Sequence, residues 1–396
     1  MKNGWRTKIL GEVCQFSNGL WKGEKPPFVN VGVIRNTNFT KEGTLDDSDI
    51  AYLDVEAKKL EKRRLQFGDI ILEKSGGGPK QPVGRVALFD KVKGDFSFSN
   101  FTAALRVLEP HDLDFRFLHK FLHWTYVSGV TEGMQSHSTG IRNLDGDAYK
   151  AIKITFPPLL EQQRIVGLLD EAFAGIATAK ANAERNLQNA RAVFESNLQS
   201  VFTQRAKGWV EKTLGDVCET TQGVQIPKNL HHKSPGANRR RYLYISDFEY
   251  DGNLKYVDDI YPKKHVTEND LIVVNTGATA GKIFRGINGV LSNNLFKVTL
   301  NPGIDGDFLY YFVTSPLFKE HQQKIVRGAA NPHMGHENFK STPVSIPPLD
   351  VQLDTVSKLD SLHEETQRLA HLYGRKLAAL EALKKSLLYE AFAGEL

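Results

Sequence analysis

A long helix that occurs twice limits this chain more than any other feature. Behind Phe156-Pro-Pro-Leu-Leu-Glu-Gln-Gln-Arg-Ile-Val166 the sequence predicts a helix reaching about Lys207. Behind Ile346-Pro-Pro-Leu-Asp-Val-Gln352 it predicts a second, running to Leu396. Steps of three and four from Val166 give Val166, Leu169, Phe173, Ile176, Lys180, Ala183, Leu187, Ala190, Phe194, Asn197 and Val201, apolar except at Lys180 and Asn197. Adding 190 gives Val356, Leu359, His363, Thr366, Ala370, Tyr373, Leu377, Leu380, Lys384, Leu387 and Ala391, a weaker row of the same period. Heptads sustained over that length predict a coiled coil. Proline is tolerated in a first turn and not in a helix interior, so the Pro-Pro pairs place the starts. Lys207-Gly208 places the end of the first helix, since glycine accepts a left-handed cap. At about 1.5 Å per residue, roughly 45 residues make a rod on the order of 65 Å. If a two-fold axis relates the copies, the helices run antiparallel; the alternative is that each packs on its own preceding block.

The blocks between the helices repeat as well. Trp5-Arg-Thr-Lys-Ile-Leu-Gly-Glu-Val-Cys14 returns as Trp209-Val-Glu-Lys-Thr-Leu-Gly-Asp-Val-Cys218, an offset of 204. Gly68-Asp69-Ile-Ile-Leu returns as Asn269-Asp270-Leu-Ile-Val at 201, Gly84-Arg85 as Gly281-Lys282 at 197, and Ser99-Asn100 as Ser292-Asn293 at 193. Pro157-Pro-Leu returns as Pro347-Pro-Leu at 190. An offset that only falls along the chain marks a tandem repeat with deletions. Short apolar runs bounded by Gly, Asp, Ser and Pro (Ile70–Leu72, Arg85–Phe89, Ala103–Leu108, Leu271–Val274, Lys282–Phe284, Leu295–Leu300) predict strands. Aromatics spaced three and four apart predict short helices over Phe115–Tyr126 and Phe308–Phe318. The fold class is therefore α+β, with domains at 1–155 and 208–345 and spacer helices at 156–207 and 346–396.

The 396 residues are 40% hydrophobic and 24% charged, a composition that folds. The net charge of +5 is compatible with a polyanion partner without demanding one. No apolar run approaches the roughly 20 residues of a bilayer span, and the N-terminal residues lack a signal-sequence core. Two cysteines, the same position in two copies, predict a reducing, cytoplasmic setting and a buried apolar role for each.

Catalytic motifs are missing. Thr276-Gly-Ala-Thr-Ala-Gly-Lys282-Ile283 has three residues between its glycines and an isoleucine where a phosphate-binding loop needs Ser or Thr. A glycine-rich loop ending in a cation, in both blocks, fits contact with a phosphate backbone. His119-Lys-Phe-Leu-His123 has zinc-helix spacing without the glutamate or a third ligand, and reads as structural. Basic and amide-rich loops remain: Arg239-Arg-Arg241, and the matching stretches Gln135–Asn143 and Arg327–His333, whose side chains suit phosphates and base edges.

These marks, in this order and twice over, resemble the DNA-specificity subunit of type I restriction–modification systems across essentially the whole chain. They are Trp-x4-Leu-Gly-acidic-Val opening each block, Gly68-Asp69-Ile-Ile-Leu, Arg327-Gly-Ala-Ala-Asn-Pro, Pro157-Pro-Leu-Leu-Glu-Gln-Gln-Arg-Ile-Val and Ala391-Phe-Ala-Gly-Glu-Leu396. The second copy departs from the pattern, with Asp350-Val-Gln-Leu-Asp in place of Glu-Gln-Arg. The resemblance implies two target-recognition domains that each read half of a split site in double-stranded DNA. It implies that the paired helices set the spacer and dock two methyltransferase subunits that bring S-adenosylmethionine. Restriction subunits using ATP and Mg would join them, and this chain would itself be non-catalytic, with no metal. The expected DNA contacts are Lys74, Lys80, Arg85, His137 and Arg142 in the first domain. In the second they are Arg239, Arg240, Arg241, Asn275, Lys282, Asn293, Arg327 and His333. Two alternatives are a recognition module fused to a methyltransferase or endonuclease, and a coiled-coil adaptor without DNA affinity.

Overall fold

In a computed structural model of the chain, residues 4–20, 23–78, 81–138, 141–204, 208–250, 254–326 and 333–396 are described. The chain divides into two compact units, residues 1–183 with 375–396 and residues 184–374. Each long helix thus contributes one segment to each unit, where the sequence predicted separate spacers.

The first unit is built on a four-stranded antiparallel sheet in the order Cys14–Asn18, Thr102–Val107, Ile70–Glu73, Val86–Leu88. The second repeats that order with Cys218–Gln222, Leu295–Leu300, Leu271–Val274 and Ile283–Arg285. Each of these strands starts at or just behind one of the repeated sequence anchors. A second sheet follows in each: Ala51–Glu56, Phe28–Ile34 and Phe96–Phe98 in one; Tyr256–Asp258, Arg239–Leu243, Gly289–Leu291 and His265–Val266 in the other. A two-stranded ribbon closes each unit, Arg6–Ile9 on Lys153–Phe156 and Val210–Thr213 on Pro343–Ile346.

The repeated motifs have local physical causes. In Leu-Gly-acidic-Val the acid caps its own short turn: Glu12 accepts from the Ile9 N–H, and Asp216 from the Thr213 N–H. Asp69 and Asp270 accept from the backbone N–H three residues earlier, Gln66 and Thr267. Cys14 and Cys218 lie buried behind these turns, and burial pushes each thiol up to about 12.

The long helices run Leu159–Thr203 and Leu349–Ala393, 45 residues each, starting directly behind the Pro-Pro pairs. The predicted cap residue Lys207 lies outside the described residues; Gly208 beyond it has φ +94°. The starts are locked in the same way in both copies. Fully buried Gln162 donates to the carbonyls of Pro157 (2.8 Å) and Asp112 (2.9 Å) and accepts from the Asp114 N–H (2.8 Å). Gln352 donates to Pro347 and Gly303 and accepts from Asp305 N–H. This is the residue that the divergent second copy keeps.

Both readings of helix packing hold inside each unit. In the first, Ile165, Val166 and Leu169 share a core with the block's own Leu118 and Leu122 and with Leu388 and Ala391 of the other long helix. Lys384 lies over the Phe173 ring and Lys180 pairs with Glu381, so the two segments run antiparallel. In the second, Leu198 and Phe202 share a core with Val356, Leu359 and the block's Phe308, and Phe194 packs on His363. The predicted row is followed at Phe173, Ile176, Leu187, Leu377, Leu380 and Leu387, all half-buried, and slips once. Asn197 is exposed and Leu198 is buried in its place, as a 3.6-residue period requires over this length.

One expected helix is two. Gly306–Thr314 and Pro316–Val326 are separated by Ser315 at φ −66°, ψ 156°. The residue before a proline is pushed out of the helical region, so Pro316 forces the break.

Candidate nucleic-acid interface

The two units place matching residues around one point, the end of the first strand of the main sheet. In the first unit this strand ends at Asn18, in the second at Gln222. The next residue is glycine in both, because the chain there passes against Ser99 or Ser292. A Cβ on Gly19 would lie 1.8 Å from the Ser99 oxygen, and one on Gly223 2.0 Å from that of Ser292. The side-chain carbonyl of the strand-end amide is then held by the residue that ends the neighbouring apolar run. Lys74 Nζ donates to Asn18 Oδ1 (2.9 Å), and Asn275 Nδ2 donates to Gln222 Oε1 (3.3 Å). The backbone carbonyl is held by a cation from a preceding turn, Arg63 Nε on Asn18 O (3.1 Å) and Lys264 Nζ on Gln222 O (2.8 Å). A third segment closes the frame, with Leu144 N–H donating to Lys74 O and Met334 N–H to Asn275 O.

Different side chains hang on this common frame. In the first unit Ser75 bonds Asn143, and Arg142 donates weakly to Gln135 (3.4 Å). His137 pairs with Arg142 through the ladder of Gln135–Ser138 with Ile141–Leu144. In the second unit His333 is exposed beside Thr276, and exposed Asn293 offers its carbonyl to Gln222 Nε2. His336 lies between Thr220 Oγ1 and Gln222 Oε1, 2.6 Å from each; burial, then Lys340, lowers its pKa. Buried Asn275 leaves its Oδ1 without a partner among the described residues. Burial likewise lowers the pKa of Lys74.

Lys74, Arg142, Asn275, Asn293 and His333 are thus gathered at the frame, and His137 is placed only by its backbone pairing with Arg142, whereas other expected contacts are held by acids of their own unit. Arg85 is bound by Glu73, which is 1% exposed, through two nitrogens at 2.7 and 3.0 Å, and also donates to Asn36 O. Arg239, Arg240 and Arg241 face Asp258, Asp259 and Asp247, and Lys282 faces Glu249. Each of these five thus already faces an acidic partner. Lys80 and Arg327 lie outside the described residues. The strand-end amides went unpredicted, although their shared offset of 204 was available as a signal. His119 and His123 stack at 6.4 Å in the first core, and the described residues include no group of three His, Cys, Asp or Glu placed to hold a metal. Nor, among them, is any helix long and apolar enough to cross a membrane.

The family model of the type I restriction modification DNA specificity domain matches twice, at residues 2–186 and 206–373. The chain belongs to that family. Among curated relatives of this specificity family, the StySPI specificity subunit of Salmonella potsdam is 24% identical, covering 100% of this chain and 90% of its own length. The EcoKI specificity subunit of Escherichia coli K12 is 23% identical, covering 92% and 82%. Among solved structures, one described as showing complex assembly and conformational transition of the type I system matches with TM-score 0.81 at 18% identity, covering 100% of this chain and 99% of that one. The HsdS subunit of Thermoanaerobacter tengcongensis matches with TM-score 0.67, also at 18% identity, covering 100% and 98%. The two specificity domains are the two target-recognition domains expected from the repeat, and each carries one copy of the strand-end frame.

Proposed function

We propose that this chain supplies the sequence specificity of a type I restriction–modification complex, each target-recognition domain reading one half of a bipartite site in double-stranded DNA. The observation that carries this is the frame built twice with different side chains. Asn18, Lys74 and Asn143 stand where the second domain has Gln222, Asn275 and His333. A shared frame with changed polar groups suits two readers of related geometry and different sequence. The long helices set the spacer and dock two methyltransferase subunits. Those partners hold S-adenosylmethionine and take the target adenine out of the duplex; restriction subunits bring ATP and Mg. The chain itself serves recognition rather than methyl transfer, a reading its two specificity-domain matches support.

The test is methylome sequencing of a host expressing this chain with its methyltransferase. One bipartite sequence methylated is the expected result. Methyl transfer by the purified chain alone, or tight cofactor binding in a titration, would establish the fused-enzyme alternative. A complex that shows no salt-dependent DNA binding would establish the adaptor, since phosphate contacts give a steep salt slope.

A further inference from the structure

The cations expected to meet phosphates are mostly engaged elsewhere, yet each domain carries an exposed lysine, next in sequence to a frame residue, that is not. Lys62 and Lys263 occupy the same step of the two repeats, at the offset of 201 that relates Asp69 to Asp270. The backbone agrees, with Arg63 N–H bonding Leu60 O (2.8 Å) and Lys264 N–H bonding Tyr261 O (2.9 Å). Both lysines are exposed, and neither makes an ion pair among the described residues. Both directly precede the half-buried cation, Arg63 or Lys264, that bonds the carbonyl of the strand-end amide. That bond ties the main chain next to Lys62 and Lys263 to the frame, so each exposed lysine is anchored one residue from it.

We propose that Lys62 and Lys263 are equivalent clamps on the phosphodiester backbone of DNA, one per target-recognition domain, and fix each frame in register on its half-site. The proposal rests on the reading that each domain meets DNA. An ammonium without an acidic partner gives up no ion pair when it binds phosphate, whereas Arg85 would have to abandon buried Glu73. A phosphate contact positions a protein without carrying sequence information. The same contact can therefore recur in two domains that read different bases.

The experiment uses the full chain assembled with its methyltransferase and measures binding to the cognate site over a series of salt concentrations. Each neutralised phosphate contributes about 0.9 to the slope of log affinity on log salt. Lys62→Ala and Lys263→Ala should each remove about that amount, so that the loss of affinity from 50 to 200 mM salt shrinks about 3.5-fold. Lys62→Arg should keep the slope, and the methylated sequence should be unchanged in every variant. An unaltered slope in either alanine variant overturns the clamp. A changed half-site sequence also overturns it, by making the lysine a reader of bases. A wild-type complex with no preferred sequence would instead defeat the functional reading on which the clamp rests.

Discussion

Replacing Gln162 tests how the first long helix is fixed to its block. The side chain is 0% exposed and serves three backbone groups, Pro157 O, Asp112 O and Asp114 N–H, at 2.8 to 2.9 Å. A buried polar group that loses its partner costs about 1–3 kcal/mol. Three such groups left dry in Gln162→Ala amount, at the lower end of that range, to about 3 kcal/mol. At about 2–4 °C per kcal/mol for a unit of this size, the first unit should melt about 6–12 °C lower. Gln162→Glu keeps the shape and removes both donors, leaving oxygen against two carbonyl oxygens. Its carboxyl must then take a proton in the folded state, which raises its pKa above the ordinary value of about 4.3. Folding then favours the protonated form. The deficit relative to wild type is smallest below about pH 4, grows as pH rises through the raised pKa, and levels off above it. Tryptophan fluorescence follows the melt, with Trp5 and Trp124 packed against the first core. The two units need not melt together, so the first unit's own transition is compared. A shift under about 2 °C in the alanine variant, or a pH-independent deficit in the glutamate variant, would refute the reasoning.

Arg85→Ala strands the Glu73 carboxylate in the first domain and should cost about 3–5 kcal/mol in denaturant unfolding, while replacing both partners by apolar residues recovers most of it. His119 and His123 titrate at about 3 and about 4 because burial penalises the imidazolium, with nearby His123 and Lys384 respectively adding to it. Their folded values lie below the ordinary 6.5, so stability is intact above about pH 6.5 and falls as the unfolded chain protonates first. By pH 5 the pair should cost about 4 kcal/mol, and glutamine at both positions should flatten that slope in melts run from pH 7.5 to 5. Four residues inserted near Ala183 add about 6 Å of helix, close to two base-pair steps, and should alter spacer length or phase with both half-sites unchanged. Altered half-site bases over an unaltered spacer would reject that division of labour.

The repetition of the strands was legible in the falling offsets, because deletions between anchors leave each strand's apolar run intact, whereas their order within the sheet was not. The helices were legible because Pro-Pro and a three-four apolar row are local signals. What escaped was set by contacts across sheets. Nothing in Arg239-Arg-Arg241 says that its strand lies against Tyr256–Asp258, yet that register decides that Arg239 faces Asp258. Arg85 looked free for phosphate until the pairing around Ile70–Glu73 set Glu73 beside it. The break at Pro316 was readable, but the aromatic row across it outweighed one residue.

Phe392, four residues before Leu396, stacks edge-on against Phe117 and Phe121 at 5.4 Å and packs on Trp124. Leu388 and Ala391 are buried in that same first core. The second unit, by contrast, is drawn from one continuous stretch, residues 184–374. On a ribosome the order of completion therefore inverts the order of synthesis. The unit translated later has all its parts first, while the unit begun at the N-terminus waits with an open apolar face until residues 375–396 emerge. Domains ordinarily finish folding N-terminal first. Here a stalled or prematurely released chain carries one finished reader and one unfinished core, exposed to chaperones and proteases.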